Sequence, residues 1–239
     1  MESTAFLALS KQVAIEMRLA SLSNNLANAS TPGYRRTEMS FDGFVSRQHA
    51  SAPIIYPVER PVRVDLTSGP LLATGNQLDL SIGGNERAFF VVARGAETFL
   101  TRAGTLQLDQ NGQLMTASGN PVLGANGEPI VLPGRSGTIT VTATGAIYEG
   151  DDLAGELDVV EVPPGATLDA RGDGLMKASA TRPAEGFEVK QGVVEQSNVQ
   201  SIMELTRLIQ LTRDFESLQQ IQSSEHARLT DVIERVPTV

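Results

Sequence analysis

The sequence predicts a mainly β, antiparallel central domain that is either an irregular barrel or sandwich-like. N- and C-terminal α-helices that pair as a coiled coil are predicted to flank this domain. Apolar residues recur every third or fourth position in both terminal segments. Between these segments, short β-rich runs alternate with turn signals containing glycine and asparagine. The predicted regions are 1–34 (helix and a following motif), 35–64 (extended bridge), 65–192 (central β domain) and 193–239 (C-terminal coiled-coil helix).

The N-terminal helix is predicted from about Thr4 to Ala29. Its apolar residues form two neighbouring rows, because steps of three and four positions return to the same helical face. Ser30-Thr31-Pro32-Gly33 is expected to end the helix, since proline disfavours helix in the preceding residue and glycine accepts positive φ. The two rows are Ile15, Leu19, Leu22 and Leu26, and Phe6, Leu9, Val13 and Met17.

The bridge from Asp42 to Val64 contains Pro53, Pro57 and Pro61, which favour extended backbone over helix. In the central domain, the pair Asn111-Gly112 between two apolar runs is typical of a hairpin turn. The predicted strands include Leu78–Ile82, Phe89–Ala93, Thr105–Leu108, Ile139–Thr142 and Leu157–Val162.

The C-terminal helix is predicted from Ser197 to about Arg235 and carries a heptad register that Gln222 and Glu225 interrupt. A second row beside it indicates that the beginning of the helix contacts two neighbouring helices, whereas its end contacts a single neighbour. A single amphipathic helix cannot bury its apolar stripe alone, so the terminal helices should pair with each other and with neighbouring subunits. The rows are Leu208, Leu211, Phe215, Leu218, Gln222, Glu225, Leu229, Val232 and Val236, and Val199, Ile202, Leu205 and Ile209.

Composition excludes several classes of function. A net charge of −9 and a pI near 4.8 argue against nucleic-acid binding and adsorption to an anionic membrane. The absence of cysteine excludes disulfides, thiolate metal sites and cysteine nucleophiles. No apolar run reaches the roughly 20 residues of a membrane span, and the interspersed charges of the first 29 residues predict no cleavable secretory signal.

Candidate chemical sites are weak, and no catalytic, cofactor or metal residue is predicted. His49 and His226 lack ligand-like spacing and are expected to be solvated. A calcium loop starting at Asp109 would have Leu114 where glycine is needed and Asn120 where a carboxylate is needed, so a hairpin turn is favoured. The acidic run 149–152 is expected to be a solvated loop. No phosphate-binding loop or serine-nucleophile motif occurs.

The segment Ser23–Arg36, SNNLANASTPGYRR, resembles the ANNLANxxTxGY signature, followed by a basic residue, of bacterial flagellar rod and hook proteins. Ser23 replaces the usual alanine. Further stretches are similar to the rod branch of this family in the same order, so the resemblance covers nearly the whole chain. They are Leu78–Gly84, Phe89–Val92, Thr101–Gly104, Leu108–Leu114, Gln191–Val199 and Arg213–Glu216. Length and the compact bridge favour the proximal-rod type within this branch.

The resemblance implies a non-enzymatic subunit of the basal-body rod that self-assembles through its terminal helices in the periplasm and transmits torque from motor to hook. It implies other rod proteins, further copies of itself and the flagellar type III export apparatus as partners, and no small-molecule substrate. Two alternatives stay open: a distal-rod or hook-type axial protein, and a secreted β-domain that binds a ligand and uses its helices for export and oligomerisation.

The residues expected to carry assembly flank the central domain. Asn24, Asn25 and Asn28 should bond to backbone or neighbouring chains where the first helix ends, Gly33 should permit the turn, and Tyr34 should anchor it. Both terminal helices are expected to be largely disordered in the monomer, where each stripe lacks a partner. The full set is Leu22, Asn24, Asn25, Leu26, Asn28, Thr31, Gly33, Tyr34, Ser197, Asn198, Val199, Ile202, Leu205, Leu208, Leu211, Phe215 and Leu218.

Overall fold

The structure is a computed structural model that describes residues 2–39, 41–46, 54–59, 63–132, 134 and 138–234. These residues form two helices, α1 (Glu2–Ala27) and α2 (Ser201–Glu234), and nineteen short strands. The chain divides into two compact units. Unit 1 contains α1 up to Leu26, strands β2 and β3, and α2, whereas unit 2 contains Ala27–Thr37 and Arg63–Val199.

The strands, in chain order, are β1 (Thr37–Glu38), β2 (Phe41–Ser46), β3 (Ile54–Glu59), β4 (Arg63–Val64), β5 (Leu71–Ala73), β6 (Leu80–Gly83), β7 (Ala88–Arg94), β8 (Glu97–Thr101), β9 (Leu106–Leu108), β10 (Leu114–Thr116), β11 (Ile139–Val141), β12 (Ala146–Glu149), β13 (Asp152–Glu156), β14 (Val159–Glu161), β15 (Leu168–Ala170), β16 (Leu175–Ala178), β17 (Arg182–Pro183), β18 (Glu188–Gln191) and β19 (Val193–Glu195). Every strand pair whose register is defined is antiparallel. The predicted mainly β, antiparallel class is therefore confirmed.

Unit 2 is built around a six-stranded sheet in the order β15-β16-β8-β7-β14-β17. Its central strand β7 is buried on both faces, because successive side chains of a strand point to opposite sides. Phe90 and Val92 enter one apolar cluster, and Phe89 and Val91 enter the other. An uninterrupted apolar run is the sequence pattern that such two-sided burial requires.

The strands among the described residues do not close into a barrel, so the barrel that the sequence allowed is not adopted. The six-stranded sheet ends at the two-residue strand β17. Pro183 in this strand has no backbone N–H with which to continue the ladder. The hairpin predicted at Asn111-Gly112 is confirmed: it joins β9 and β10, with Leu108 opposite Leu114.

Two further pairings bring distant segments of the chain together within unit 2. Strand β18 pairs with β6, and β19 pairs with β5, with Glu195 opposite Leu71. The last strands before α2 are thus hydrogen-bonded to the first strands of the sheet region. These pairings place the C-terminal end of unit 2 beside strands β5 and β6.

Unit 1 contains both helices and, within the predicted bridge, a hairpin in which β2 pairs with β3. Both predicted helices are confirmed, although α2 begins at Ser201 rather than Ser197. The structure does not confirm their pairing as a coiled coil. Neither helix, over its described residues, combines the length and apolar content that a membrane span requires.

Candidate functional site

The segment that follows α1 is hydrogen-bonded to the segment that precedes α2. We call Gly33–Arg36 and Glu195–Asn198 together the junction. The Gly33 amide donates to the Glu195 carbonyl at 2.7 Å, and the Asn198 amide donates to the Tyr34 carbonyl at 3.4 Å. Both segments belong to unit 2. Hydrogen bonds therefore hold the two ends of this unit together.

Gly33 lies where a larger residue does not fit. Its φ is +70°, and a Cβ atom added there would lie 2.2 Å from the backbone nitrogen of Ala103. Tyr34, the next residue, is buried, with 9% of its surface exposed. The tight turn after α1 thus packs directly on the β structure of its own chain.

Three buried charged side chains form the centre of the site. Arg35 Nη1 lies 2.8 Å from Glu195 Oε1, and Arg102 Nη1 lies 3.4 Å from Glu195 Oε2. All three side chains are 1% exposed. Arg102 also donates to the carbonyls of Ile82 and Asn85, each at 2.6 Å. One carboxylate therefore pairs with two guanidinium groups that come from distant positions in the sequence.

Burial dominates the electrostatics of these arginines. Desolvation lowers the pKa of Arg35, and it lowers the pKa of Arg102 to about 10, while the charge of Glu195 opposes both shifts. A pKa of about 10 keeps the Arg102 guanidinium protonated at neutral pH. Among the described residues, Arg35 Nε and Nη2 and Arg102 Nε have no hydrogen-bond partner. The arginines thus depend strongly on Glu195, because an unpaired buried charge is costly.

Asn198 adds a second set of connections to the junction. Its Oδ1 accepts from the Arg36 amide at 2.7 Å, and its Nδ2 donates to the carbonyls of Asp65 and Thr67 at 3.1 and 2.9 Å. Ser197, also buried, accepts through Oγ from the Val199 amide at 3.2 Å. These local bonds hold the backbone in a non-helical path and explain why α2 starts later than predicted.

In unit 1, a polar contact joins the two helices. Asn25 is fully buried, and its Nδ2 donates to Glu204 Oε2 at 3.4 Å. Glu204 is 1% exposed and also accepts from Arg207 Nη1 at 2.8 Å. The end of α1 and the start of α2 are thus in contact through buried polar side chains.

The apolar residues of α2 fall into two rows that differ in exposure. Leu208, Leu211, Phe215 and Leu218, in the predicted heptad row, are each half-buried. The second row is exposed instead: 81% of Ile202, 47% of Leu205 and 46% of Ile209 are accessible. Val199, predicted in the same row, is buried, but it precedes the helix.

The remaining residues of the predicted assembly set differ in their surroundings. Leu22 and Leu26 are half-buried in α1, and Asn24 is exposed. Thr31 donates through Oγ1 to Asn28 Oδ1 at 3.2 Å, in the turn after the helix. The structure therefore brings Gly33, Tyr34 and Asn198 together in the junction, whereas the α2 residues line separate faces of one helix.

Sequence reasoning missed the residues that hold the junction together. Arg35, Arg102, Glu195 and Glu204 were not among the predicted site residues, although the first three lie within motifs that resemble the family. The available signal was a charged residue placed directly beside a buried segment, as Glu195 follows Val193-Val194. This pattern identifies a buried charge but not its partner.

The weak chemical candidates gain no support as sites. Asp109 Oδ1 accepts from the amides of Asn111 and Gln113 at 2.8 and 2.7 Å, which is the geometry of the predicted hairpin turn. His49 lies outside the described residues, and so does the side chain of His226. Within the described ranges, no three carboxylate or histidine side chains group together as metal ligands would.

Comparison with known protein families gives three matches in chain order. Residues 9–35 match the family described as "Flagella basal body rod protein", residues 82–149 match "Flagellar hook protein FlgE/F/G D1 domain", and residues 190–233 match "Flagellar basal body rod FlgEFG protein C-terminal". The first match reaches into the N-terminal segment of the junction, and the third match includes its C-terminal segment.

Similar proteins extend over nearly the whole chain. The flagellar basal-body rod protein FlgF of Mesorhizobium japonicum is 34% identical over 221 residues, which cover 91% of this chain and 90% of that protein. This chain belongs to the flagellar basal-body rod protein family. FlgF of Rhizobium meliloti is 33% identical over 98% of each chain, and FlgG of Bacillus subtilis is 28% identical over 91% of this chain and 93% of that protein.

Membership of the rod protein family makes the chain a structural, non-enzymatic subunit of the flagellar basal body, with other rod or hook subunits as its partners. The family signature has a definite place in this fold. Its asparagines lie at the end of α1, and its Gly-Tyr-Arg portion is buried in unit 2.

Proposed function

We propose that the chain is a subunit of the proximal rod whose terminal helices pair as a coiled coil and pack against the helices of neighbouring subunits. The observation that carries this proposal is the pair of apolar rows on α2. The half-buried row repeats in steps of three and four, as a coiled-coil seam does. The exposed row of Ile202, Leu205 and Ile209 offers a second contact face.

The buried contact between Asn25 and Glu204 supports pairing of α1 with α2 at the end nearest the junction. A single polar contact in an otherwise apolar seam fixes the register of paired helices. Register matters in a polymer, because every subunit must present its outer faces in the same arrangement. We propose Leu22, Leu26, Leu208, Leu211, Phe215 and Leu218 as the residues of this seam.

We propose further that the partners are copies of this chain and other rod proteins, and that the rod crosses the periplasm and transmits torque from motor to hook. Delivery through the flagellar type III export apparatus in unfolded form belongs to the same proposal. The family and the exposed helical face support these assignments, and the following experiment tests assembly into the rod.

The test is incorporation of a variant with serine at Ile202, Leu205 and Ile209 into basal bodies of a strain that lacks the wild-type gene. A control variant places serine at Gln210, Gln219 and Gln220, which are exposed polar residues of the same helix. Mass spectrometry of purified basal bodies should detect the control in a fixed ratio to the other rod subunits. The apolar-face variant should be absent, although circular dichroism of the purified protein is unchanged.

Equal incorporation of both variants would show that the exposed row is not an assembly face. Absence of the wild-type chain from rods that are otherwise complete would overturn the proposed function itself. The two failures are distinguishable, because the wild-type chain is measured in a parallel preparation from the parent strain.

A further inference from the structure

Glu195 is the point at which three separate segments of unit 2 meet. Its carbonyl accepts from Gly33, in the segment that follows α1. Its carboxylate pairs with Arg35 and Arg102 and accepts from the Gly69 amide at 3.0 Å. Glu195 is itself the last residue of β19, in the segment that leads to α2.

We propose that Glu195 is the positioning residue that transmits mechanical load between the terminal helices and the β structure of unit 2. This inference rests on the proposed function, because only a subunit in a rotating rod carries such load. Force applied to either helix reaches unit 2 along the backbone, at Gly33–Arg36 or at Glu195–Asn198. Glu195 joins these two entry points to each other and to Gly69 and Arg102.

The chemistry of the contact suits sustained load. Arg35 and Glu195 form a hydrogen bond between charged groups, which is about twice as strong as one between neutral groups, whereas Arg102 and Glu195 form an ion pair at 3.4 Å. The three side chains are 1% exposed, so dissolved salt screens them little. Arg102 is in turn held by two backbone carbonyls, and its guanidinium lies 5.5 Å from the ring centroid of the core residue Phe89. Through Arg102, the Glu195 contact is thus connected to the apolar core.

The charges are unequal in number, and this predicts an unequal response to substitution. Among the described carboxylates, Glu195 is the one within ion-pair distance of both Arg35 and Arg102. Neutralising Glu195 leaves two buried guanidinium groups without their shared partner. Neutralising Arg35 still leaves one arginine paired with one carboxylate. Glu195→Gln should therefore weaken the junction more than Arg35→Gln does.

A matched control separates coupling from simple stability. Glu161 is also a buried glutamate of unit 2, 6% exposed, and it pairs with Arg182 and Asn85. Its strand β14 lies inside the six-stranded sheet and contacts neither segment of the junction through these bonds. Glu161→Gln therefore removes a buried carboxylate without removing a bond to either segment of the junction, because it changes the side-chain bond of Asn85 and not the Asn85 carbonyl that accepts from Arg102.

The first measurement is amide hydrogen exchange on the full-length protein. Glu195→Gln should lower the protection of the Gly33 and Gly69 amides about tenfold, whereas Glu161→Gln leaves both unchanged. Asn198→Ala, which removes the bonds to Arg36, Asp65 and Thr67 but no charge, should lower protection at residues 33–36 as well. This variant keeps the test valid if Glu195→Gln does not fold.

The second measurement compares motility at low and high viscosity in cells whose rods contain each variant. Glu195→Gln or Asn198→Ala should slow cells more at high viscosity than Glu161→Gln does, at equal numbers of assembled rods. Junction variants that keep wild-type speed under high load would overturn the inference. So would unchanged exchange at Gly33 in Glu195→Gln. If the wild-type chain is absent from rods, the proposed function fails, and the inference about load fails with it.

Discussion

The junction buries charged side chains, whereas the outer face of α2 exposes apolar side chains. In the junction, Arg35 and Glu195 have side chains that are 1% exposed, and each is paired within the chain. On α2, 81% of Ile202 is exposed, although Glu204, two residues later, is 1% exposed. The buried charges of the junction are thus paired within the chain, whereas the described residues leave an apolar face of α2 exposed. The difference separates residues that hold the fold of this chain from residues that we propose for assembly.

Glu195→Ala is the substitution that we expect to destabilise the junction most. It should destabilise the full-length protein by about 3–5 kcal/mol, because it leaves two buried guanidinium groups unpaired. Chemical unfolding monitored by far-UV circular dichroism measures the loss. Adding Arg35→Met should recover some of it, since one of the unpaired charges is then removed. A double variant less stable than Glu195→Ala would contradict this account.

Gly33→Ala tests the close approach beside the buried charges. The positive φ alone costs about 1–3 kcal/mol for a residue with a Cβ atom. The contact with the Ala103 backbone at 2.2 Å should add to this loss. Gly119→Ala is the matched control, because Gly119 has a φ of +80° and open space around its Cβ position. Equal thermal shifts for the two variants would show that the packing at Gly33 is unimportant.

Phe215→Ala tests the half-buried row of α2. Full burial of phenylalanine makes its truncation cost about 3–5 kcal/mol, so the loss in the monomer should be smaller than this. In the assembled rod, where we propose that the seam is closed, the full cost should appear as loss of incorporation. Unfolding of the monomer and basal-body composition are measured in parallel. A variant that assembles as well as wild type would contradict the proposed seam.

Ile202→Ser tests the open face and should change the stability of the monomer by no more than about 0.5 kcal/mol, since the side chain is largely exposed. Self-association should fall, because the substitution removes apolar surface that another chain would cover. Sedimentation velocity at increasing concentration measures this change. A large loss of monomer stability would instead place Ile202 inside the fold.

The smallest expected effect concerns Glu161. Its hydrogen bonds from Asn85 and Arg182, together with the Arg182 charge, lower its pKa below the ordinary value of 4.5. The ionised group therefore stabilises the fold above pH 4.5, and this contribution is lost as the pH falls through the lowered pKa. The difference in thermal midpoint between wild type and Glu161→Gln should shrink below pH 4.5. A pH-independent difference would contradict the shift.

The sequence predicted the features that depend on local pattern. Both helices, the mainly β middle and the hairpin at Asn111-Gly112 follow from periodicity and turn chemistry. The family follows from one long motif and from further stretches along the chain that agree with it. Leu208 and Phe215 were correctly placed on one helical face, because that face depends only on spacing.

The junction could not be predicted, because it depends on residues that lie far apart in the chain. Nothing near Arg35 indicates that its partner is Glu195, and nothing near Asn198 indicates Arg36. Periodicity also cannot distinguish an apolar row that the chain covers from one that it leaves open. The boundaries predicted for the domains and the disorder predicted for the helices in the monomer stay predictions.

The pairing of β5 with β19 has a kinetic consequence. Thr74 and Gly192 are hydrogen-bonded across 118 positions of sequence, at the end of this strand pair. Contacts of such separation form late, because the entropy of closing a long loop must be overcome before they contribute. When the chain is made from its N-terminus, β5 therefore stays unpaired until β19 has also been made. The fold can therefore be completed only when nearly the whole polypeptide has been made. Until then, the subunit can remain extended.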